Sequence, residues 1–181
     1  MSKVKQTYKP YSGIGSRSTP PEVLEQMTAI ATQLESLGFS LRTGGALGAD
    51  TAFLNGIQTN PEAVELYLPW QGYNDYESPH HHVPIESIHL ASMHHPNWSV
   101  CKDSVRKLHG RNCNIILGPD VRQPTESLFV ICYTEGAKAK GGTGLAISVA
   151  DSALIPIFDF GLGIEYTLNH FQQWFEQQGF K

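Results

Sequence analysis

Three segments of this sequence place glycine and small polar residues directly after an apolar run. They cover residues 11–17, 41–50 and 128–144, and each leads into a predicted helix. Glycine lets backbone N–H groups approach an anion without a Cβ in the way, and the helix that follows contributes unpaired amides and a positive dipole end. Phosphate is the ligand that this chemistry suits best.

The candidate ligand-binding residues lie in these loops or in elements expected beside them. Arg17 is a candidate for a bidentate contact with phosphate. A single glycine motif more often makes only a tight strand-to-helix turn, but three at equivalent positions favour a shared site. The full set of candidates is Gly15, Ser16, Arg17, Gly44, Gly45, Gly48, Asp50, Trp70, Arg111, Asn112, Thr134, Gly141, Gly142, Thr143 and Gly144.

Several of these residues allow two interpretations. Asp50 suits the first turn of a helix, where the dipole favours an acid, and it equally suits a ribose hydroxyl. Trp70 follows the third predicted strand, where it either stacks on a purine or fills the rim of the pocket. Arg111 and Asn112 sit in an otherwise apolar helix, so one is expected to face the site and the other to cap or bridge loops.

The elements that must position these loops alternate between strand and helix. Residues 11–16, 39–43 and 63–68 are predicted strands, and the helix between the first two has its apolar residues at helical spacing. The continuously apolar run 128–133 predicts a central strand covered on both faces. This βαβαβ pattern predicts a Rossmann-like α/β single domain with a mainly parallel sheet and helices on both faces.

The expected strand order brings the three loops together. In the common order 3-2-1-4-5, the first strand lies between the second strand and the strand at 128–133. Ligands of open parallel sheets bind outside the carboxyl ends of the strands, where the strand order reverses. The sequence therefore predicts one nucleotide-sized pocket at this edge of the sheet.

The whole chain of 181 residues is predicted as one domain. Residues 1–10 are expected to form an N-terminal extension, residues 69–98 an insertion or lid, and residues 163–181 a C-terminal helix. The segment 69–98 includes His94, His95 and Trp98, which are expected to pack over the pocket.

The charge balance limits the expected partners. The chain has 13 basic and 17 acidic residues, a net charge of −4, and no run of Lys and Arg. Because polynucleotide binding normally needs a basic face, extended nucleic acid is a weak candidate partner, whereas a small, localised anion is compatible. The sequence contains no apolar signal region and no stretch of membrane-spanning length, so we expect a cytoplasmic protein without a membrane partner.

Little in the sequence indicates a metal site or a bound cofactor. The three cysteines, Cys101, Cys113 and Cys132, are odd in number and lack a CxxC spacing, which argues against disulfides and a zinc site. Adjacent histidines such as those at 80–82 more often lie on the surface than bind metal. Residues 13–17 lack the third glycine of a dinucleotide-binding motif. No metal and no cofactor are therefore expected.

The glycine motifs resemble a known superfamily. SGIGSR at residues 12–17 and TGGALGADTAF at 43–53 resemble the SLOG superfamily, which unites the DNA-processing protein DprA/Smf with the Lonely Guy (LOG) phosphoribohydrolases. The motifs YLPW at 67–70, HHP at 94–96, RN at 111–112, LGPD at 117–120 and GGTG at 141–144 resemble a bacteriophage DprA-like group within it. The resemblance spans residues 11–158. It implies a nucleotide-type pocket, a homo-oligomer paired through helices beside the site and, for a phage protein, the host cytoplasm.

Two departures from the family patterns bear on activity. LOG enzymes have a PGGxGTxxE motif whose Glu serves cleavage of the base–ribose bond, and no Glu stands at the corresponding position after Gly141, Gly142 and Gly144 here. The phage pattern has an acid after GADxAF, and Leu54 stands there. Asp50 and Glu135 are the remaining candidate catalytic carboxylates, so enzymatic activity is left open and hydrolysis is disfavoured.

Three functions follow from the resemblance. The first is binding of a nucleotide or nucleotide-derived small molecule, such as an ADP-ribose-like or cyclic nucleotide signal, which a phage protein would sequester from host immunity. The alternative is a LOG-like nucleoside monophosphate phosphoribohydrolase. A weaker alternative is DprA-like single-stranded DNA binding in recombination. The missing acids favour binding over cleavage, and the acidic net charge disfavours DNA.

Overall fold

A computed structural model of the chain describes residues 8–180 and shows a five-stranded parallel sheet with helices on both of its faces. The strands are β1 (Pro10–Gly13), β2 (Ser40–Thr43), β3 (Val64–Leu66), β4 (Val130–Cys132) and β5 (Ile157–Asp159). The helices are α1 (Pro21–Ser36), α2 (Ala49–Gly56), α3 (Ile85–His94), α4 (Asp103–Leu117), α5 (Gly141–Ser152) and α6 (Ile164–Gln177).

The sheet has the strand order β3-β2-β1-β4-β5, with every neighbouring pair parallel. Tyr11 lies opposite Leu41 on one side of β1, and Ser12 lies opposite Val130 on the other. The strand order therefore reverses between β1 and β4. This confirms the predicted Rossmann-like α/β fold, the order 3-2-1-4-5 and the neighbouring positions of the first and fourth strands.

Two apolar clusters cover the two faces of the sheet, because alternate residues of a strand point to opposite sides. One cluster joins Tyr11 and Phe129 of the sheet segments to α1, α2 and the aromatic side chains of α6. The other joins Val130 and Cys132 to apolar side chains of α4 and α5. Phe129 is fully buried among the rings of α6, which fixes that helix against the sheet.

Some boundaries differ from those expected. The helix predicted to begin at Thr143 begins at Gly141, so the last glycine motif forms the first turn of α5 instead of a preceding loop. The segment 69–98 contains α3 and touches the second glycine loop, where the Asn74 side chain donates to the Gly45 carbonyl at 2.9 Å. Its assignment as a lid stays a prediction.

The ends of the chain extend beyond what the structure describes. β1 begins at Pro10, and most of the expected N-terminal extension, residues 1–7, lies outside the described residues. Of the helices within residues 8–180, none is both long and apolar enough to cross a membrane.

Candidate functional site

A pocket of about 740 Å³ opens at the carboxyl edge of the sheet. Its walls come from the loop after β1, the start of α2, the segment between β4 and α5, and one face of α4. The volume lies within the range of about 300–1,000 Å³ that small-ligand sites occupy. The loop after β1, the β2–α2 connection and the β4–α5 segment meet there, as the topology requires.

Most of the candidate residues line this pocket. The candidates along its wall are Gly15, Ser16, Arg17, Asp50, Arg111, Asn112, Thr134, Glu135, Gly141, Gly142 and Thr143. Arg111 and Asn112 both line the pocket, although only one of them was expected to face the site. Asn112 also donates from Nδ2 to the Gly142 carbonyl at 3.0 Å, so it joins α4 to the first turn of α5.

Gly44, Gly45, Gly48 and Gly144 are not part of the pocket wall, and three of them permit close packing beneath it. A Cβ at Gly44 would lie 1.3 Å from Nη1 of Arg111, and a Cβ at Gly144 would lie 2.6 Å from the carbonyl carbon of Ala139. Gly48 has a φ of 85°, and a Cβ there would meet the Ser16 carbonyl oxygen at 2.7 Å. These three glycines therefore allow the loops to pack closely behind the pocket wall.

Trp70 also lies outside the pocket wall. Its ring is 38% exposed and makes an edge-to-face contact with Tyr73 at 5.2 Å. Trp70 therefore packs on Tyr73 and does not fill the rim of this pocket, and its stacking on a purine stays a prediction.

Arg111 is among the residues that line the pocket, although it is only 5% exposed. Its Nε and Nη1 have no hydrogen-bond partner, although Nη1 lies 3.8 Å from Oδ2 of Asp50. The guanidinium also faces the Tyr73 ring at 5.7 Å. Burial lowers the pKa of Arg111, but a guanidinium remains charged at neutral pH. Both nitrogens, Nε and Nη1, are buried from solvent, so Arg111 contributes positive charge from behind the pocket wall.

The Asp50 carboxylate holds the second glycine loop in place. It accepts hydrogen bonds from the backbone N–H groups of Gly44 at 3.1 Å and Ala46 at 3.2 Å. Burial raises the pKa of the Asp50 carboxyl, and the nearby Arg111 guanidinium opposes this shift. The carboxylate is thus engaged within the protein, and its role as a ribose acceptor or catalytic acid stays a prediction.

Cations gather at this pocket from separate parts of the chain. Arg17, Lys138 and Lys140 are exposed side chains in the wall, and Arg111 adds a fourth positive charge. Asp50 and Glu135 are the acids there. The pocket is therefore locally positive, although the chain as a whole has a net charge of −4.

The segment after β4 is attached to the end of β5 through Asp159. The Asp159 carboxylate accepts the backbone N–H of Thr134 at 2.9 Å, the Thr134 hydroxyl, and the N–H of Gly161 at 2.8 Å. Thr134 is 3% exposed, so its side chain serves this attachment while the residue borders the pocket. Lys138 and Lys140 follow on the same segment.

One face of α4 adds residues to the pocket wall that were not predicted from the sequence. Val105, Leu108 and His109 line the pocket together with Asn112. Residues three and four apart share a helix face, so these positions could have been found by counting back from Asn112. Burial, with the nearby His95 and Arg111 groups, lowers the pKa of His109 to about 4. Its imidazole is therefore neutral at physiological pH.

Comparisons with known proteins support the fold. The chain is similar to the DNA processing protein A of Helicobacter pylori, with a TM-score of 0.53 and 18% identity over 87% of this chain and 68% of that one. That protein's structure is described as having a unique single-stranded DNA binding mode. No protein-family model matches this chain, and no curated protein matches it. At 18% identity this likeness shows the fold alone.

The expectation that extended nucleic acid is a weak candidate partner is wrong on this comparison, because the structural neighbour binds single-stranded DNA. The expectation relied on net charge and on the absence of a basic run. The fold instead collects Arg17, Arg111, Lys138 and Lys140 from distant positions into one pocket. A linear count of charges does not detect such a site.

Proposed function

We propose that the pocket binds a nucleotide unit of single-stranded nucleic acid and holds its phosphate against the exposed cations Arg17, Lys138 and Lys140. The observation that carries this proposal is the locally positive pocket, in which the buried Arg111 guanidinium adds a fourth charge to these three. Hydrogen bonds to charged groups contribute about 1.5–3 kcal/mol each. Because the three side chains are exposed, a bound phosphate oxygen can reach them.

The rest of the pocket suits a nucleotide. Apolar side chains of Ile14, Val105 and Leu108 border it, together with the half-buried ring of Tyr133. Bases stack on aromatic and apolar surfaces while cations follow the phosphates, which is the common pattern of single-strand binding. The fold shared with a protein that binds single-stranded DNA supports this ligand class over others.

The test is fluorescence anisotropy with a labelled oligodeoxythymidine and, for comparison, a duplex of equal length. Arg17→Ala removes an exposed charge from the wall without disturbing the core. We expect it to cost roughly 1.5–3 kcal/mol, as contacts to charged groups do, which corresponds to about a 10- to 100-fold loss of affinity.

Lys107→Ala is the matched control, because Lys107 is exposed on α4 and does not line the pocket. It should bind the oligonucleotide like the parent chain. The proposal is wrong if Arg17→Ala and Lys107→Ala bind alike, or if the duplex binds as tightly as the single strand.

A second candidate is binding of a free nucleotide derivative, including a signalling nucleotide. The observation that favours it is the volume of about 740 Å³, which accommodates one small ligand. Calorimetry with mononucleotides, and mass spectrometry of ligands that co-purify, separate the two candidates. Tight mononucleotide binding without oligonucleotide binding would favour the second, whereas release of free base during incubation would point to hydrolysis.

A further inference from the structure

A separate group of side chains meets next to the pocket wall. His95, Cys101 and His109 each bring a nitrogen or sulfur atom to within 4.8 Å of the other two, in the part of the chain that the structure describes. The Cys101 sulfur lies 3.8 Å from both ring nitrogens of His95. The ring centroids of His95 and His109 are 4.7 Å apart. The fold thus assembles three soft or borderline donor groups at one place.

His109 provides an independent sign that this place takes a ligand. It is 6% exposed, and its Nδ1 is buried without a hydrogen-bond partner. Buried polar atoms are almost always satisfied, so an orphaned imidazole nitrogen needs an explanation. The neutral ring keeps a lone pair that a cation can use.

Cys101 is the suitable thiol among the three cysteines of the chain. Burial raises the pKa of Cys113 to about 12, and it raises the pKa of Cys132 as well. Both therefore remain protonated inside the core. Cys101 is only partly buried and lies beside His95, where a metal ion can reach it.

We propose that His95, Cys101 and His109 bind a divalent transition-metal ion of the zinc class. Imidazole nitrogen and cysteine thiolate are the ligands that zinc prefers, and three protein ligands leave a fourth position open to water or to another ligand. Because His109 also lines the pocket at the carboxyl edge of the sheet, the ion lies at the border of that pocket. The site does not depend on the function proposed above.

Metal binding requires a small rearrangement. Zinc bond lengths place tetrahedral ligand atoms about 3.3–3.6 Å apart, so the group must contract by about 1 Å from its present maximum of 4.8 Å. His95 must also exchange the hydrogen bond that its Nδ1 accepts from the Asn97 N–H at 3.1 Å. His95 directly follows α3, so its side chain can turn without disrupting the helix.

The prediction of no metal site rested on the absence of CxxC pairs and on the adjacent positions of the histidines. Here the ligands follow an H-x5-C-x7-H spacing, with one ligand after α3, one before α4 and one inside α4. The three ligands come together only when α3 and α4 pack against each other.

The test is titration of tag-free, chelator-treated protein with Co²⁺, followed by displacement with Zn²⁺. We expect a single equivalent to bind, with thiolate-to-Co²⁺ charge-transfer absorption and a higher unfolding temperature. Cys101→Ser should abolish that absorption and weaken binding by at least about 10-fold, since even residues that only orient metal ligands cost 10- to 100-fold. His95→Gln provides a second variant outside the buried core.

His82→Gln is the control, because His82 is exposed and lies outside the group. It should leave the spectrum and the affinity unchanged. The proposal is overturned if the parent chain shows no charge-transfer absorption, if Cys101→Ser retains it, or if only His82→Gln loses it. None of these outcomes depends on nucleotide binding.

Discussion

The Arg111 guanidinium occupies space that a side chain at residue 44 would fill. A Cβ built on Gly44 lies 1.3 Å from Nη1 of Arg111 and 3.0 Å from Oδ2 of Asp50. The same Asp50 oxygen accepts the Gly44 N–H. The glycine therefore permits the buried ion pair to form beneath the pocket, which is a different role from direct phosphate contact.

Gly44→Ala should displace Arg111 and destabilise the protein by about 1–3 kcal/mol, the usual cost of overpacking. Oligonucleotide affinity should fall in parallel. Gly142→Ala is the comparison, because its added Cβ meets only Nδ2 of Asn112, at 3.1 Å, and lies in the first turn of a helix. Its stability should remain close to that of the parent. Urea unfolding measures the stability of the variants, and anisotropy measures their oligonucleotide affinity. Equal losses of stability in Gly44→Ala and Gly142→Ala would contradict the role of Gly44 in making room for Arg111.

The sequence indicated Gly44, Asp50 and Arg111 as candidate site residues, but it could not predict how their atoms pack against one another. Glycine, acid and arginine are residue types with recognisable uses in phosphate sites, so each could be selected alone. Their mutual fit depends on how closely α4 approaches the β2–α2 loop. This distance depends on tertiary packing, which the local sequence pattern does not predict.

At the scale of elements, the segment between β4 and α5 presents Lys138 and Lys140, while Asp159 holds its beginning. Asp159→Ala would leave the N–H groups of Thr134 and Gly161 without their acceptor. We expect a loss of about 2–3 kcal/mol in the free energy of unfolding, since these hydrogen bonds involve a charged group. Affinity for the oligonucleotide should also fall, because the segment that presents the lysines is no longer fixed.

Asp151→Ala controls for the loss of an acidic charge, because Asp151 is exposed near the end of α5. It should retain the stability of the parent, with affinity unchanged or slightly higher. Both variants are compared well below their unfolding temperatures. If Asp159→Ala lost stability but kept full affinity, the attachment to β5 would not position the ligand-binding segment.

The elements themselves were largely predictable, because strand and helix patterns recur along the chain with turn residues between them. The start of α5 was not. Three glycines at 141–144 favour a loop by intrinsic propensity, yet the helix begins at Gly141, and Gly144 packs against Ala139. Tertiary packing overrides propensity here, and it does so where the chain borders the pocket.

For the molecule as a whole, the distribution of charge matters more than its sum. The net charge of −4 would suggest weak attraction for any polyanion. The pocket nevertheless contains Arg17, Arg111, Lys138 and Lys140 against two acids. Since the pocket offers four cations, binding should involve only a few phosphates.

The salt dependence of oligonucleotide binding tests whether the pocket contacts only a few phosphates. Single-stranded nucleic acid gives a slope of about −0.7 in log K against log salt for each neutralised phosphate, so contacts to four cations give at most about −3. Replacing Lys138 and Lys140 together by alanine should move the slope toward zero by about 1.4 on the same basis. Lys107→Ala should leave it unchanged. A slope steeper than about −5 would require more phosphate contacts than the pocket offers, and the strand would then have to follow a longer surface than the one assigned here.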